Sequence, residues 1–341
     1  MKGDLFARLK GGWPVPVLIL VCFGVYANAL GNGFVLDDSW SVVGNPGIKD
    51  FRSLIHMFIS PGASQKILLD YFRPLQYVFY FIQFKLGGFS PAFFHSGNVF
   101  FHAGVTVLVY LLVLEIRGGA MPAFLAALLF AVNPVHTEAV NWVSALCEIA
   151  FSFFYLGSLI LYIKAFKGGS PRKGFLALSL FSFFLSLLSK ETAITFFLAL
   201  FSLDTAFARP GPLKKPAIYL KRYAVYLAPA ICYLAYRTAA LGRVVPATTL
   251  KNNTAGLVSI PSVFFAYLKT LFVPYRLVFW REFSTLHSAV EARVAVACLV
   301  TALFIIAIPH AYRKDRMIFA GLLFILIPTS ACVVSGRYWH S

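Results

Sequence analysis

Residues 93–116 read FFHSGNVFFHAGVTVLVYLLVLEI, a run in which most positions are apolar. A helix of about 20 apolar residues is long enough to cross the ~30 Å hydrocarbon core of a bilayer. His95, Asn98 and His102 recur at near-helical spacing in the first half of the run. The stretch therefore predicts a membrane-spanning helix with a polar flank close to one membrane surface.

Similar runs recur along the whole chain. Of its 341 residues, 59% are hydrophobic and 13% are charged, whereas soluble domains average about 25% charged residues. This composition predicts an all-α integral membrane protein, a multi-span helical bundle with about nine spans and with interfacial helices in its first outer loop. The expected spans are 13–31, 93–116, 120–134, 143–166, 174–189, 192–208, 222–241, 294–311 and 317–334.

The charge of the chain indicates its orientation in the membrane. Lys and Arg number 30 against 13 Asp and Glu, a net charge of +17. They concentrate in short loops, as the positive-inside rule requires of cytoplasmic loops, so we do not attribute the charge to nucleic-acid binding. The outer segments are then 32–92, 135–142, 189–191 and 242–257. Within 32–92, the stretches 50–60 and 72–86 are amphipathic and are expected to lie in the interface.

Residues 258–280 interrupt this alternation. They contain Pro261, Lys269, Pro274 and Arg276, a poor composition for a simple span. We expect the segment to lie in the outer interface or to re-enter it. Residues 1–341 are then one transmembrane domain, with an uncleaved first helix and a C-terminus that is truncated or unusually short.

Four polar stretches fall on the predicted outer side. Ionisable residues near a membrane interior are costly and are candidates for function. A carboxylate can act as general base toward a hydroxyl, and Arg or Lys can neutralise a phosphate leaving group. Together they fit the transfer of a sugar from a lipid-linked phosphate to a hydroxyl at the outer surface. The stretches are Asp37-Asp38, YFRPL at 71–75, NPVHTEAVNW at 133–142 and SKET at 189–192.

These motifs, in this order, resemble the transmembrane and tetratricopeptide-repeat O-mannosyltransferases of the GT-C superfamily. The resemblance covers residues 14–207 and, more loosely, 258–339. It implies a GT-C bundle that takes a monosaccharide, mannose, from a polyprenyl- or dolichyl-phosphate donor in the membrane lipid. The acceptor would be a Ser or Thr hydroxyl of a protein at the extracytoplasmic face of a bacterial inner membrane or of the endoplasmic reticulum.

The resemblance also implies roles for individual residues. Asp37 would be the catalytic base, with Asp38 as a close alternate, and Glu138 would shape the acceptor side or a metal site. Arg337, followed by Tyr338, would lie near the lipid phosphate. No cofactor is firmly implied, and a divalent cation (Mg²⁺ or Mn²⁺) stays open. The expected substrate-binding residues are Arg73, His95, His102, His136, Lys190, Glu191, Arg337 and Tyr338.

The chain departs from the family pattern at Leu36, where an aromatic residue usually precedes the two acids, and it has no tetratricopeptide repeats. The part that recruits the acceptor is therefore missing or supplied by another protein. An alternative function is a non-catalytic transporter, flippase or scaffold that binds polyprenyl-phosphate lipids. A third is a degenerate GT-C relative that binds the lipid without transferring a sugar.

Each motif also has a purely structural interpretation. The two aspartates could cap a helix that begins near Ser39, and His136 with Glu138 could cap the fourth span. Lys190 and Glu191 could form an ion pair that closes a helical hairpin. Arg73, His95 and His102 could be interfacial side chains without a substrate.

Overall fold

The computed structural model of the chain describes residues 12–59, 72–167, 171–207, 216–242, 253–275, 277 and 292–335. All regular secondary structure in these ranges is helical, which confirms the all-α class. The chain divides into two compact units, Met1–Ala193 and Ile194–Ser341. The single domain over 1–341 stays a prediction, and the predicted residues Arg337 and Tyr338 lie outside the described residues.

The first unit contains eight α-helices within its described ranges. The short connections between them include 3-10 turns and a π-helical turn at Ser39–Val43. The α-helices are α1 (Pro14–Val25), α2 (Phe51–Ile59), α3 (Pro74–Gly87), α4 (Pro91–Arg117), α5 (Ala120–Val132), α6 (Thr137–Asn141), α7 (Leu146–Phe166) and α8 (Lys173–Ser189).

The second unit contains five α-helices within its described ranges. In that unit α9 packs on α13, and α11 packs on α12. A buried aspartate, Asp204 on α9, accepts a hydrogen bond from the Tyr223 hydroxyl at 2.7 Å. The helices are α9 (Phe196–Phe207), α10 (Pro216–Leu241), α11 (Asn253–Phe272), α12 (Ala292–Lys314) and α13 (Arg316–Ser335).

Four of the described helices are long and apolar enough to cross a membrane. A fifth candidate is α5 together with 134–141, a pair bent by 48° that is either a broken span or a re-entrant loop. About nine spans therefore stays a prediction, as does the interfacial position of 258–280, most of which belongs to α11. The four spans are Pro91–Arg117, Val143–Phe166, Ala217–Leu241 and Ala295–Lys314.

Helix α4 is central to the first unit, because α1, α5 and α7 all pack against it. Its partner α5 presents Ala123 and Ala127, which are fully buried in one cluster with Tyr110 of α4. Small side chains let neighbouring membrane helices approach closely. Gly104 likewise lets α4 approach α7 closely, because a Cβ at this position would lie 2.8 Å from a ring carbon of Phe153 on α7.

Buried serines join α7 to α8. The hydroxyl of Ser158 donates to the carbonyl of Ser179, and the hydroxyl of Ser179 donates to the carbonyl of Ser158, both at 2.8 Å. Ser182 and Ser186 of α8 donate to further carbonyls of α7. Hydrogen bonds between helices hold their register in a medium without water. They keep the first turn of α7 beside the last turn of α8, where the candidate site lies.

Candidate active site

The two adjacent acids of the loop between α1 and α2 have different surroundings. Asp38 is fully buried, whereas Asp37 is half-buried. One carboxylate oxygen of Asp38 accepts from the backbone N–H of Ser144 at 2.8 Å and from its hydroxyl at 2.5 Å. The other accepts from the N–H of Val35 at 3.1 Å. Asp38 therefore ties the loop between α1 and α2 to the turn that precedes α7.

The backbone before these acids is strained. Leu36 has a φ of 50°, a left-handed conformation that is uncommon for a residue other than glycine. Such strain persists only where the surroundings enforce it, and the hydrogen bonds of Asp38 on both sides of the turn do so. The side chain of Asp38 does not cap the helical turn that begins at Ser39. The capping interpretation is therefore wrong for this residue.

Arg73 lies at the start of α3 and is held by groups from two other segments. Its Nε and Nη2 donate to the two carboxylate oxygens of Glu191 at 3.4 and 3.2 Å. Its Nη1 donates to the Cys147 sulfur at 3.2 Å. Burial alone would lower the pKa of the guanidinium, but Cys147 and Glu191 raise that pKa well above its ordinary value. Arg73 is thus a largely buried, charged side chain that joins the start of α3 to Glu191 and to α7.

The partner of Arg73 is affected in the opposite direction. Burial would raise the pKa of Glu191, but the attraction of Arg73 and Lys190 lowers it from 4.5 to about 2. Lys190 itself forms its ion pair with Glu148, in the first turn of α7. The adjacent residues Lys190 and Glu191 are therefore not each other's hydrogen-bond partners. The lysine closes the α7–α8 hairpin through Glu148.

The turn Val143–Ala145 connects these ion pairs to Asp38. The carbonyl of Ser144 accepts from the Gln76 amide at 2.9 Å and from the Cys147 thiol at 3.7 Å. Asp38, Arg73 and both ion pairs consequently belong to one continuous network around the first turn of α7. The sequence reasoning missed Ser144, Cys147 and Glu148. Only Glu148 carried a signal that could have revealed it, an acid within a predicted span.

The histidines of α4 brace the surrounding backbone. The Nε2 of His95 lies 3.4 Å from the Gly33 carbonyl, and the Nε2 of His102 lies 3.3 Å from the Ala131 carbonyl. Asn98, between them, donates to the Trp142 carbonyl at 2.7 Å. These contacts favour the structural interpretation of His95 and His102. Substrate contact by either histidine stays a prediction.

His136 and Glu138 lie together in the bent segment after α5. The ring of His136 packs 4.3 Å from that of Phe130 and 5.4 Å from that of His102, between centroids. Glu138 is exposed in the first turn of the short helix α6. Because α7 begins only at Leu146, neither residue caps the fourth span. The acid in the first turn of that span is Glu148.

The divalent cation that the sequence leaves open stays a prediction. Within these ranges there is no group of three or more His, Cys, Asp or Glu side chains that could hold a metal ion. Carboxylate oxygens are the ligands that Mg²⁺ and Mn²⁺ prefer. The described carboxylates with known partners are instead bonded to protein donors, such as Asp38 to Ser144 and Glu191 to Arg73.

The chain is similar in sequence to several known proteins. The chain is 32% identical to the protein O-mannosyl-transferase TMTC1 of Mus musculus over 186 residues, which are 50% of this chain and 20% of that protein. It is 32% identical to the protein O-mannosyl-transferase TMTC4 of Homo sapiens over 199 residues, covering 52% and 26%. The match to the protein O-mannosyl-transferase F38B6.6 of Caenorhabditis elegans is 32% over 161 residues, covering 43% and 23%. The resemblance to O-mannosyltransferases is confirmed.

The matched region spans about a fifth to a quarter of the length of those relatives. No protein-family model matches the chain, and no solved structure matches it. The shared region is about half of this chain, so the likeness concerns a part of the relatives rather than their whole length.

Replacing Asp38 should destabilise the fold more than replacing Asp37. Asp38→Asn puts an amide where Ser144 and Val35 need acceptors, and unmet buried hydrogen bonds to a charged group cost about 2–3 kcal/mol. Asp37→Asn changes a half-buried position and should cost less than about 1 kcal/mol. Thermal unfolding in detergent measures both. Equal losses in the two variants would contradict the structural role of Asp38.

The Arg73–Glu191 pair should make stability depend on acid pH. The pKa of Glu191 is lower in the folded chain, so the pair stabilises the fold above pH 4.5. That contribution should be lost as the pH falls from 4.5 toward about 2, and Glu191→Gln should remove this part of the dependence. Unfolding midpoints at several pH values measure it, with Asp50→Asn as the charge-matched control. If acid lowers the unfolding midpoint of Glu191→Gln as steeply as that of the unsubstituted chain, Glu191 is not the source of this pH dependence.

Proposed function

We propose that this chain is a membrane glycosyltransferase that moves mannose from a polyprenyl- or dolichyl-phosphate donor to a Ser or Thr hydroxyl of a protein. Two independent observations support the proposal. The relatives are named protein O-mannosyl-transferases. The first unit also combines a half-buried acid, Asp37, with a network of buried cations at the adjacent helix ends.

The contrast between Asp37 and Asp38 is the observation that carries the proposal. A general base needs access to the hydroxyl from which it removes a proton. Asp38 is fully buried and bonded to Ser144 and Val35, so it is poorly suited to that task. Asp37 is the adjacent acid with solvent access, and we assign the base to it.

The reaction would be a direct displacement at the anomeric carbon. Asp37 takes the proton of the acceptor hydroxyl, and the oxygen forms a bond to that carbon. The bond from the carbon to the phosphate oxygen breaks, and the phosphate leaves with the electron pair, so the configuration inverts. Lys190 is the proposed cation that neutralises the leaving phosphate. Arg73 stays paired with Glu191 and holds the network in place. Arg337, for which the resemblance implies the same role, lies outside the described residues. No step is assigned to a metal ion.

The remaining predicted residues would shape the substrate pocket. Glu138 is exposed and is proposed for the acceptor side. His95, His102 and His136 are proposed to border the substrate. Tyr338, outside the described residues, keeps the lipid-phosphate role that the resemblance implies. The site would face the extracytoplasmic side of a bacterial inner membrane or of the endoplasmic reticulum, where the donor lipid and the acceptor protein meet.

Asp37→Asn should abolish transfer. Removal of a positioned general base lowers the rate about 10²–10⁴-fold. The assay incubates the full chain in lipid nanodiscs with dolichyl-phosphate-[³H]mannose and a panel of Ser/Thr peptides. Asp50→Asn is the matched control, because Asp50 is an exposed acid of the same loop that bonds within its own helix end; its rate should stay within about twofold.

Two results would count against this function. Transfer that persists unchanged in Asp37→Asn would show that another group is the base. The absence of transfer from any phosphate-linked sugar, with bound lipid phosphate still detectable, would favour a lipid-binding transporter, flippase or scaffold.

A further inference from the structure

The two cations near the first turn of α7 are held in different ways. The planar guanidinium of Arg73 bonds to both oxygens of Glu191 and, through its third nitrogen, to the Cys147 sulfur. Such a two-point pair with a carboxylate is directional and strong. The side chain of Arg73 is only 11% exposed. All three of its nitrogens are already committed to the fold.

Lys190 is held less firmly. An ammonium is a compact point charge whose donors can rotate. It can therefore exchange one anion for another without the fixed two-point geometry that a guanidinium requires. Its ion-pair partner, Glu148, has a side chain that is 34% exposed, the most exposed of the four charged groups. Of the two pairs, Lys190–Glu148 is therefore the one that an incoming anion can open.

The position of Glu148 also makes its release inexpensive. It lies in the first turn of α7, where the helix dipole stabilises a negative charge. A third of its side chain is already exposed, so a carboxylate that leaves the ammonium is not forced into a closed core. Glu191 is less exposed, and both of its oxygens accept from Arg73.

Charge balance makes this exchange necessary. Arg73 and Lys190 are matched by Glu191 and Glu148, so the four groups sum to zero. A phosphate gains little from a site whose cations are already neutralised. It gains an unneutralised cation only if a carboxylate moves away.

We propose that Glu148 is an exchangeable counter-ion, displaced from Lys190 when the phosphate of a polyprenyl lipid binds. Lys190 is then the cation that contacts the phosphate, and the Arg73–Glu191 pair stays closed and positions the network. This inference rests on the proposed function for the identity of the lipid, but it concerns binding and not transfer.

The test is the affinity of the full chain for dolichyl phosphate in detergent micelles, measured by titration calorimetry. Glu148→Gln removes the competitor and should tighten binding about tenfold, which corresponds to about 1.4 kcal/mol. Inorganic phosphate should show the same direction of change if the head group alone is recognised. Dolichol, which lacks the phosphate, should not respond to the substitution.

Two further variants make the test specific. Glu115→Gln is the matched control, because Glu115 forms an ion pair with Lys167 elsewhere in the unit; its affinity should stay within about twofold of the unsubstituted chain. In a Lys190→Gln background the gain from Glu148→Gln should disappear, since both act on one contact. If Glu148→Gln does not fold, Glu148→Asp withdraws the carboxylate by one methylene and should tighten binding about threefold.

The outcomes separate this proposal from the enzymatic one. Unchanged or weaker binding in folded Glu148→Gln would overturn it, as would a gain that persists without Lys190. A tenfold gain that depends on Lys190 supports it, even in a chain that transfers no sugar. If the chain transfers mannose but its affinity for dolichyl phosphate does not change in Glu148→Gln, the proposed function stands and this inference is wrong.

Discussion

The buried carboxylate of Asp38 is the constraint on which the site depends. A charged or strongly polar group withdrawn from water must be hydrogen-bonded, because an unpaired buried carboxylate is very costly. Asp38 meets that requirement with donors from its own loop and from Ser144, more than a hundred residues later. The loop between α1 and α2 is thereby fixed to the turn before α7, the same turn whose Ser144 carbonyl accepts from Gln76 and Cys147.

The same requirement explains the arrangement of the neighbouring charges. The start of α7 and the end of α8 lie beside two cations and two carboxylates in a largely apolar unit, and each cation there pairs with a carboxylate. Pairing avoids the cost of burying unpaired charges, but it also leaves these four groups with no net positive charge for an anionic substrate. A site that must bind phosphate in such surroundings needs one pair that opens, and Lys190–Glu148 is the more exposed of the two.

Much of the local structure follows from the sequence, because apolar runs and the residues that start or end helices act over short distances. The run 93–116 corresponds to α4, Pro91–Arg117, and the expected span 174–189 to α8, Lys173–Ser189. The expected interfacial stretch 72–86 begins as a helix at Pro74, as a proline in the first turn favours. Two expected spans are partly 3-10 helix. After α1 ends at Val25 a 3-10 turn follows, and the expected span 192–208 begins in the 3-10 turn Glu191–Thr195 before α9 starts at Phe196.

The partners of the charged residues could not be obtained in this way. Arg73 and Glu191 are 118 residues apart, and no periodicity links them. Lys190 beside Glu191 suggested a local ion pair, yet the hairpin register places Glu148 closer to the lysine than its own neighbour. The two adjacent aspartates look equivalent in the sequence. Only the fold buries one of them and leaves the other half-buried.

The central claim is that this network receives the phosphate of a polyprenyl lipid, and photo-crosslinking tests it most directly. A polyprenyl phosphate with a diazirine next to its head group would be irradiated with the full chain in nanodiscs, and the labelled peptides mapped by mass spectrometry. The account predicts labels in residues 143–148 and 189–192, lost when unmodified dolichyl phosphate competes. Labels confined to the basic segment 164–173, with none near Lys190, would contradict it.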